Sequence, residues 1–172
     1  MNSIQVQLKN QSLIDILDTY PDLMYLDWYR KEPFAQKKHT GMWEVTPQIE
    51  GSTNNTWDEQ LKLIPEGQEV PPAVVLVVAL IHQYGITGER LLSSTYSRTS
   101  DVLSDGRRVE VGVFDALGLR VSYWYDRAYD DDFIGVSSAR KLKKLNTRNP
   151  EPVESLPLIL EINGKKYRQV ND

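Results

Sequence analysis

The longest apolar stretch lies near the middle of the chain. Residues 73–81 read AVVLVVALI, with Pro71 and Pro72 before them and Tyr84-Gly85 after them. Proline is favoured in the first turn of a helix and glycine just past its end, so this punctuation predicts a helix over 72–84. Because apolar residues occupy every side of it, this helix is expected to be buried all round, at the centre of the fold.

Two further helices are predicted from residues that can cap their N-termini. Ser12 is followed three residues later by Asp15, which places a hydroxyl acceptor at an N-cap and a negative charge in the first turn. Tyr20-Pro21 ends this helix, because the residue before proline is disfavoured in helical geometry. Thr56 and Glu59 have the spacing of a capping box, which predicts a second start.

The aromatic-rich segment between these helices is less regular. Residues 24–29 are predicted to form another helix, and residues 43–49 a short strand in which Pro47 suits an edge position. On these patterns the first half of the chain is mostly helical.

The second half changes to alternation. In 108–113 and 119–125 apolar residues occupy every second position, which is the period of a half-buried strand. The connection over 115–118 is short enough for an antiparallel hairpin. Asp105-Gly106 marks a tight turn before the first strand of this hairpin. A strand within 90–103 is therefore expected to complete a three-stranded meander.

Shorter elements follow the meander. Residues 133–137 predict a fourth strand, and residues 138–145 a short basic helix.

The strongest hairpin signal in the chain is Asn163-Gly164, because both residues tolerate the positive φ angles of a type I′ turn. With that turn Leu160 faces Tyr167, and Glu161 faces Lys166 across the strands.

Together these elements predict an α+β fold, with N-terminal helices and one buried apolar helix packed on a mainly antiparallel sheet made of the meander and the C-terminal hairpin. The length of 172 residues fits one domain over 1–172. Sub-lobes over 1–70 and 71–172 are the alternative.

The amino-acid composition excludes several kinds of functional site. The chain has no cysteine and two histidines, which excludes disulfides, thiol nucleophiles and cysteine-ligated zinc, and no cofactor is expected. Twenty basic and twenty-four acidic residues give a net charge of −4, so overall charge provides no general attraction to nucleic acid or to an anionic membrane. The N-terminal residues lack the pattern of a secretory leader, and a cytoplasmic location without membrane contact is expected.

An acidic loop follows the predicted meander. Its aspartates could supply the carboxylate oxygens that divalent cations prefer; they are Asp126, Asp130, Asp131 and Asp132. The pattern favours a solvated turn, because adjacent side chains point in different directions and the spacing is not that of a calcium loop.

A basic run comes next, made of Arg140, Lys141, Lys143, Lys144 and Arg148. On a helix several of these side chains would share a face that could contact phosphate groups, although such a face is also common on acidic proteins as plain solvated surface.

Four tryptophans and nine tyrosines are a large share of the chain, and both residue types are enriched at protein interfaces. In the last meander strand Trp124 takes the sheet face opposite Tyr123. The hypothesis from the sequence is therefore a cytoplasmic binding or assembly protein without catalysis, whose partner is another protein or a second copy of the chain. Its contact surface would be the outer face of the meander, with Trp124, Arg108, Glu110 and Arg120. The alternative is a metal-dependent nucleic-acid-processing or a nucleic-acid-binding protein that uses the acidic loop and the basic run.

Overall fold

A computed structural model of the chain describes residues 3–124 and 132–143, together with the backbone of two strands near the C-terminus. The described helices are α1 (Leu13–Thr19), α2 (Pro33–Gln36), α3 (Trp57–Lys62) and α4 (Ala73–Thr87). The described strands are β1 (Ile4–Gln11), β2 (Met24–Tyr25), β3 (His39–Thr46), β4 (Tyr96–Val102), β5 (Arg108–Asp115), β6 (Gly118–Trp124), β7 (Ile134–Val136), β8 (Ser138–Leu142), β9 (Ile159–Ile162) and β10 (Lys165–Arg168).

The strands form two sheets and a separate hairpin. Sheet A has the order β1-β3-β8 and is antiparallel throughout. Sheet B has the order β2-β6-β5-β4-β7, in which β4, β5 and β6 are the predicted antiparallel meander, while the short edge strands β2 and β7 run parallel to their neighbours. The predicted α+β class is confirmed.

The apolar helix α4 packs against strands of both sheets, which explains why it has no polar face. It ends at Gly88, whose left-handed φ of 73° lets its N–H group bond to the carbonyl of Tyr84. At its start, the N–H group of Ala73 donates to the carboxylate of Asp101, 2.7 Å away. The predicted central helix is confirmed and extends three residues beyond residue 84.

The predicted N-cap at Ser12 and the predicted capping box at Thr56 are both present, and the structure shows that Ser12 and Asp15 also form a capping box. The hydroxyl of Ser12 accepts from the N–H group of Asp15, whose carboxylate accepts from the N–H group of Ser12. Thr56 and Glu59 make the same reciprocal pair at the start of α3.

The expectation that the first half is mostly helical is wrong, because β1 and β3 form the centre and one edge of sheet A. In β1 the side chains of Ile4, Val6 and Leu8 are buried and alternate with glutamines, a period of two that indicates a strand. Strand β3 begins earlier than expected and ends just before Pro47, which cannot donate a ladder hydrogen bond.

The predicted helix over 24–29 is also wrong. Met24 and Tyr25 pair in parallel with β6, and Leu26 has a φ of 64°, a left-handed conformation that interrupts any helix. A 3₁₀ turn follows at Trp28–Lys31.

The predicted basic helix over 138–145 is wrong in its described part, which is strand β8. Ala139 pairs with Val45 of β3 on one side, and on the other it exchanges two backbone hydrogen bonds with Glu69. This two-sided pairing is formed with segments distant in sequence, so local propensity does not decide the structure here.

The remaining strand predictions are confirmed. Strand β7 lies within 133–137, and in the C-terminal hairpin Leu160 pairs with Tyr167 and Glu161 with Lys166. In the described part of the chain, none of the helices is both long and apolar enough to cross a bilayer.

Candidate functional site

The four residues predicted for a protein contact lie on one face of sheet B. Arg108 pairs directly with Trp124, and Arg120 pairs with Gly112, two residues along β5 from Glu110. Residues at even positions of β5 share a face, so the strand register brings the four side chains together.

This face is covered rather than open. Trp124 is only 8% exposed and Glu110 5%, and Trp57 at the start of α3 packs against Trp124. The ring of Trp57 lies 5.9 Å from that of Trp124, and the guanidinium of Arg98 lies 3.9 Å above the Trp124 ring. The expectation that Trp124 is an exposed contact residue is therefore wrong.

Buried polar groups hold this cover in place. Arg98 donates to the side-chain oxygen of Gln60 at 2.8 Å. The amide nitrogen of Gln60 donates in turn to the carbonyl oxygens of Ser52 at 2.7 Å and Ile134 at 2.9 Å. Gln60 is completely buried, and these hydrogen bonds satisfy its polar atoms. This part of the face therefore has a structural role.

Arginine–aromatic pairs continue towards the edge of the face. The guanidinium of Arg120 lies 4.6 Å from the ring of Tyr25 and makes a 2.8 Å ion pair with Asp115. That of Arg108 lies 4.8 Å from the Trp57 ring. Both half-buried arginines contact an aromatic ring, and Arg120 also pairs with a carboxylate. These contacts hold the two guanidinium groups in place.

An exposed apolar surface lies at the edge of sheet B, beside β6. It consists of Leu26, Trp28 and Tyr123, which are 59%, 39% and 38% exposed, and we call it the rim surface. The rings of Trp28 and Tyr123 meet edge to face with 5.2 Å between their centroids. The indole N–H group of Trp28 donates to the carbonyl oxygen of Val121 at 2.9 Å, which fixes this ring against the strand.

Sequence reasoning missed Leu26 and Trp28 as surface residues. Their aromatic and apolar character was visible, but it was assigned to a helix. Leucine rarely adopts a left-handed backbone conformation, so the sequence gives no reason to predict one at Leu26.

A second feature lies on sheet A. A cleft of about 410 Å³ crosses the three strands, and we call it the basic cleft; its lining includes Gln7, Lys9, Thr40, Met42, Lys141 and Leu142. Two of the predicted basic residues therefore lie at or beside it, since Arg140 precedes Lys141 on β8 and pairs with Glu44. Lys143 is exposed just after β8, whereas Lys144 and Arg148 lie outside the described residues.

The acidic loop is mostly outside the described part of the chain. Asp132 is exposed, and Asp126, Asp130 and Asp131 are not described. Within residues 3–124 and 132–143, no group of three side chains could hold a metal ion.

Comparison of the chain with protein-family models, with curated protein sequences and with solved structures gave no match.

Proposed function

We propose that this chain is a non-catalytic binding or assembly protein that contacts another protein through the rim surface. The proposal keeps the class of function suggested by the sequence and moves the contact from the covered Trp124 to Leu26, Trp28 and Tyr123.

The observation that carries the proposal is the conformation of Leu26. A left-handed backbone costs a non-glycine residue about 1–2 kcal/mol, and strained residues of this kind cluster at binding sites. Leu26 gains no burial in return, because 59% of it is exposed. A partner that covers Leu26 would bury its apolar side chain, and this burial would offset the cost of the strained backbone.

The neighbouring rings support a binding role because they are already held in place. Trp28 is fixed by its bond to Val121 and by edge-to-face contacts with Tyr29 and Tyr123. On the same side the guanidinium of Arg107 lies 3.7 Å from the Tyr123 ring. Tryptophan, tyrosine and arginine dominate binding hot spots, and side chains that are ordered beforehand lose little entropy on association.

The test is site-specific photo-crosslinking in the native host. A photoreactive phenylalanine analogue is placed at Leu26, and in a matched control at Ile86, which is 56% exposed on α4 away from the rim surface. We expect a discrete crosslinked species from position 26 and not from position 86. The absence of a protein adduct at 26, or the same adduct from both positions, would overturn the proposal.

The adduct is then identified by mass spectrometry and reconstituted from purified components. We expect Leu26→Asn to weaken the complex about tenfold or more, because it removes the apolar side chain that is most exposed on this surface. Asparagine tolerates the left-handed region, so the variant should unfold at the same or a higher temperature than the parent. Ile86→Asn should leave the affinity unchanged; equal affinity for all three proteins would contradict the role of Leu26.

A further inference from the structure

We infer that the basic cleft of sheet A binds the phosphodiester backbone of a nucleic acid. This site is separate from the rim surface, which belongs to sheet B, and does not depend on the function proposed above.

The local charge of the cleft favours an anion. Within the described residues, Lys9, Lys141 and Lys143 make no ion pair, whereas Lys38 is paired with Asp15 and the positive charge of Lys37 acts on the carboxyl of Asp101. The lining of the cleft includes two of these lysines and no carboxylate. In a chain whose net charge is −4, this region therefore has an excess of positive charge that must be local.

Positive charges from two segments act on His39, at the start of β3. Burial lowers the pKa of its imidazole, and the positive charges of Lys37 and Lys141 lower it further. Lysines from two separate segments, the loop before β3 and the strand β8, thus act on the same point. An anion bound there would gain from both of them.

Gly41 of β3 makes room for the side chain of Lys141. A Cβ atom at Gly41 would lie 2.6 Å from the Cε atom of Lys141, so the absence of a side chain at 41 lets the lysine stem lie across β3. Its ammonium group is then 5.6 Å from the centre of the Trp43 ring. Gly41 also has a φ of 108°, a conformation in which other residues are strained. The backbone of β3 is therefore suited to hold this cation at the cleft.

The shape of the site selects an extended anion. The cleft is lined by residues of three neighbouring strands, and Lys143 follows its lining residues Lys141 and Leu142 in the chain. Its neutral polar lining residues, Gln7 and Thr40, can donate hydrogen bonds to phosphate oxygens, and no aromatic residue lines it for base stacking. Contacts of this kind read the backbone and not the base sequence.

The test is fluorescence anisotropy with a short, labelled, single-stranded oligonucleotide of mixed sequence at low salt. We expect binding that weakens steeply with salt and does not depend on base sequence. Lys9→Gln and Lys141→Gln should each lower the affinity several-fold and reduce the salt slope by about one. The matched control is Lys62→Gln on the exposed side of α3, which should bind like the parent.

Gly41→Ala is an independent variant, because it displaces Lys141 without changing any charge. We expect it to weaken oligonucleotide binding while circular dichroism shows the parent spectrum; if it fails to fold, the two lysine variants carry the test. Leu26→Asn should bind the oligonucleotide normally, so failure of either proposal is distinguishable from failure of the other.

Three results would overturn the inference. One is the absence of any anisotropy change at low salt, and another is an equal loss in the Lys62→Gln control. The third is displacement of the oligonucleotide by polyglutamate at an equal charge concentration, which would mean that the cleft accepts acidic protein segments instead.

Discussion

Single residues in β5 show how tightly sheet B is packed. Val113 has a φ of 45° at a bulge between Gly112 and Asp115, and its N–H group donates to the carbonyl oxygen of Thr95 at 2.9 Å. This bond draws the Thr95 carbonyl over Gly112. Any Cβ atom at 112 would collide with that oxygen, which is backbone and cannot turn aside.

We therefore expect Gly112→Ala to lower the free energy of unfolding by about 2 kcal/mol or more, as overpacking of a fixed backbone does. Gly135→Ala is the comparison, because there the nearest atoms belong to the side chains of Gln48 and Ser52, and the flexible glutamine can move. Urea denaturation of both variants measures the difference. Equal losses would show that the approach of Thr95 is not what requires glycine at 112.

Asp101 gives a prediction about pH. Burial raises the pKa of its carboxyl above the usual 3.8, although the N–H group of Ala73 lowers it in part. A group whose pKa is higher in the folded state binds protons more readily there, so its contribution to stability is lost as the pH rises through that folded-state pKa.

We expect Asp101→Asn to gain stability relative to the parent at neutral pH, since the amide oxygen can still accept from Ala73 without the cost of a buried charge. The gain should vanish at a pH well below 4, where the parent carboxyl is protonated in both states. Thermal unfolding across pH measures this. Asp101→Ala, which removes the acceptor, should lose about 1 kcal/mol at neutral pH, and an Asn variant that behaves like it would contradict the assignment.

The short helix α3 depends on contacts beyond its own sequence. It has six residues, too few to be stable as an isolated helix, and its capping box accounts for only part of its stability. Gln60 supplies the rest by linking the helix to Arg98 of β4 and to the carbonyl of Ile134 in β7.

Replacement of Gln60 by leucine keeps the volume but leaves the groups around it without their partner. We expect a loss of about 3 kcal/mol in the free energy of unfolding, together with greater exposure of Trp124 and a red shift of its emission. Lys62→Ala on the exposed side of the same helix should change stability by less than about 0.5 kcal/mol. An unshifted emission spectrum in Gln60→Leu would mean that α3 stays in place without this network.

In the whole molecule, α4 contacts strands of both sheets, and β3 from the first half pairs with β8 from the second. The cores of the two sheets therefore share the same central helix.

This arrangement predicts that both sheets unfold in one transition. Two variants that each keep a single tryptophan, Trp43 in sheet A or Trp124 in sheet B, report on the sheets separately by fluorescence. Circular dichroism measures the overall urea midpoint of each variant. We expect the fluorescence midpoint of each variant to equal that overall midpoint, so that both sheets unfold together, as two-state unfolding requires. Two separated transitions within one variant would instead indicate independent lobes.

Elements with local sequence signals were predicted correctly. The helix α4 follows from an apolar run after proline, although it continues past Gly85 and ends at Gly88; the starts of α1 and α3 follow from hydroxyl and acid spacing, and the meander and the last hairpin from alternation and turn residues. These signals work because the interactions behind them join residues only a few positions apart.

Four other features depend on contacts between distant parts of the chain. Strand β8 became a strand because Val45 and Glu69, far away in the chain, pair with it on both sides. Trp124 was buried because α3 is held across it by Gln60 and Arg98. Likewise Leu26 was left exposed in a left-handed conformation, and Lys9 and Lys141 were brought to one cleft. Each of these outcomes depends on pairing or packing between segments distant in sequence, and such contacts leave no periodic trace in the local sequence.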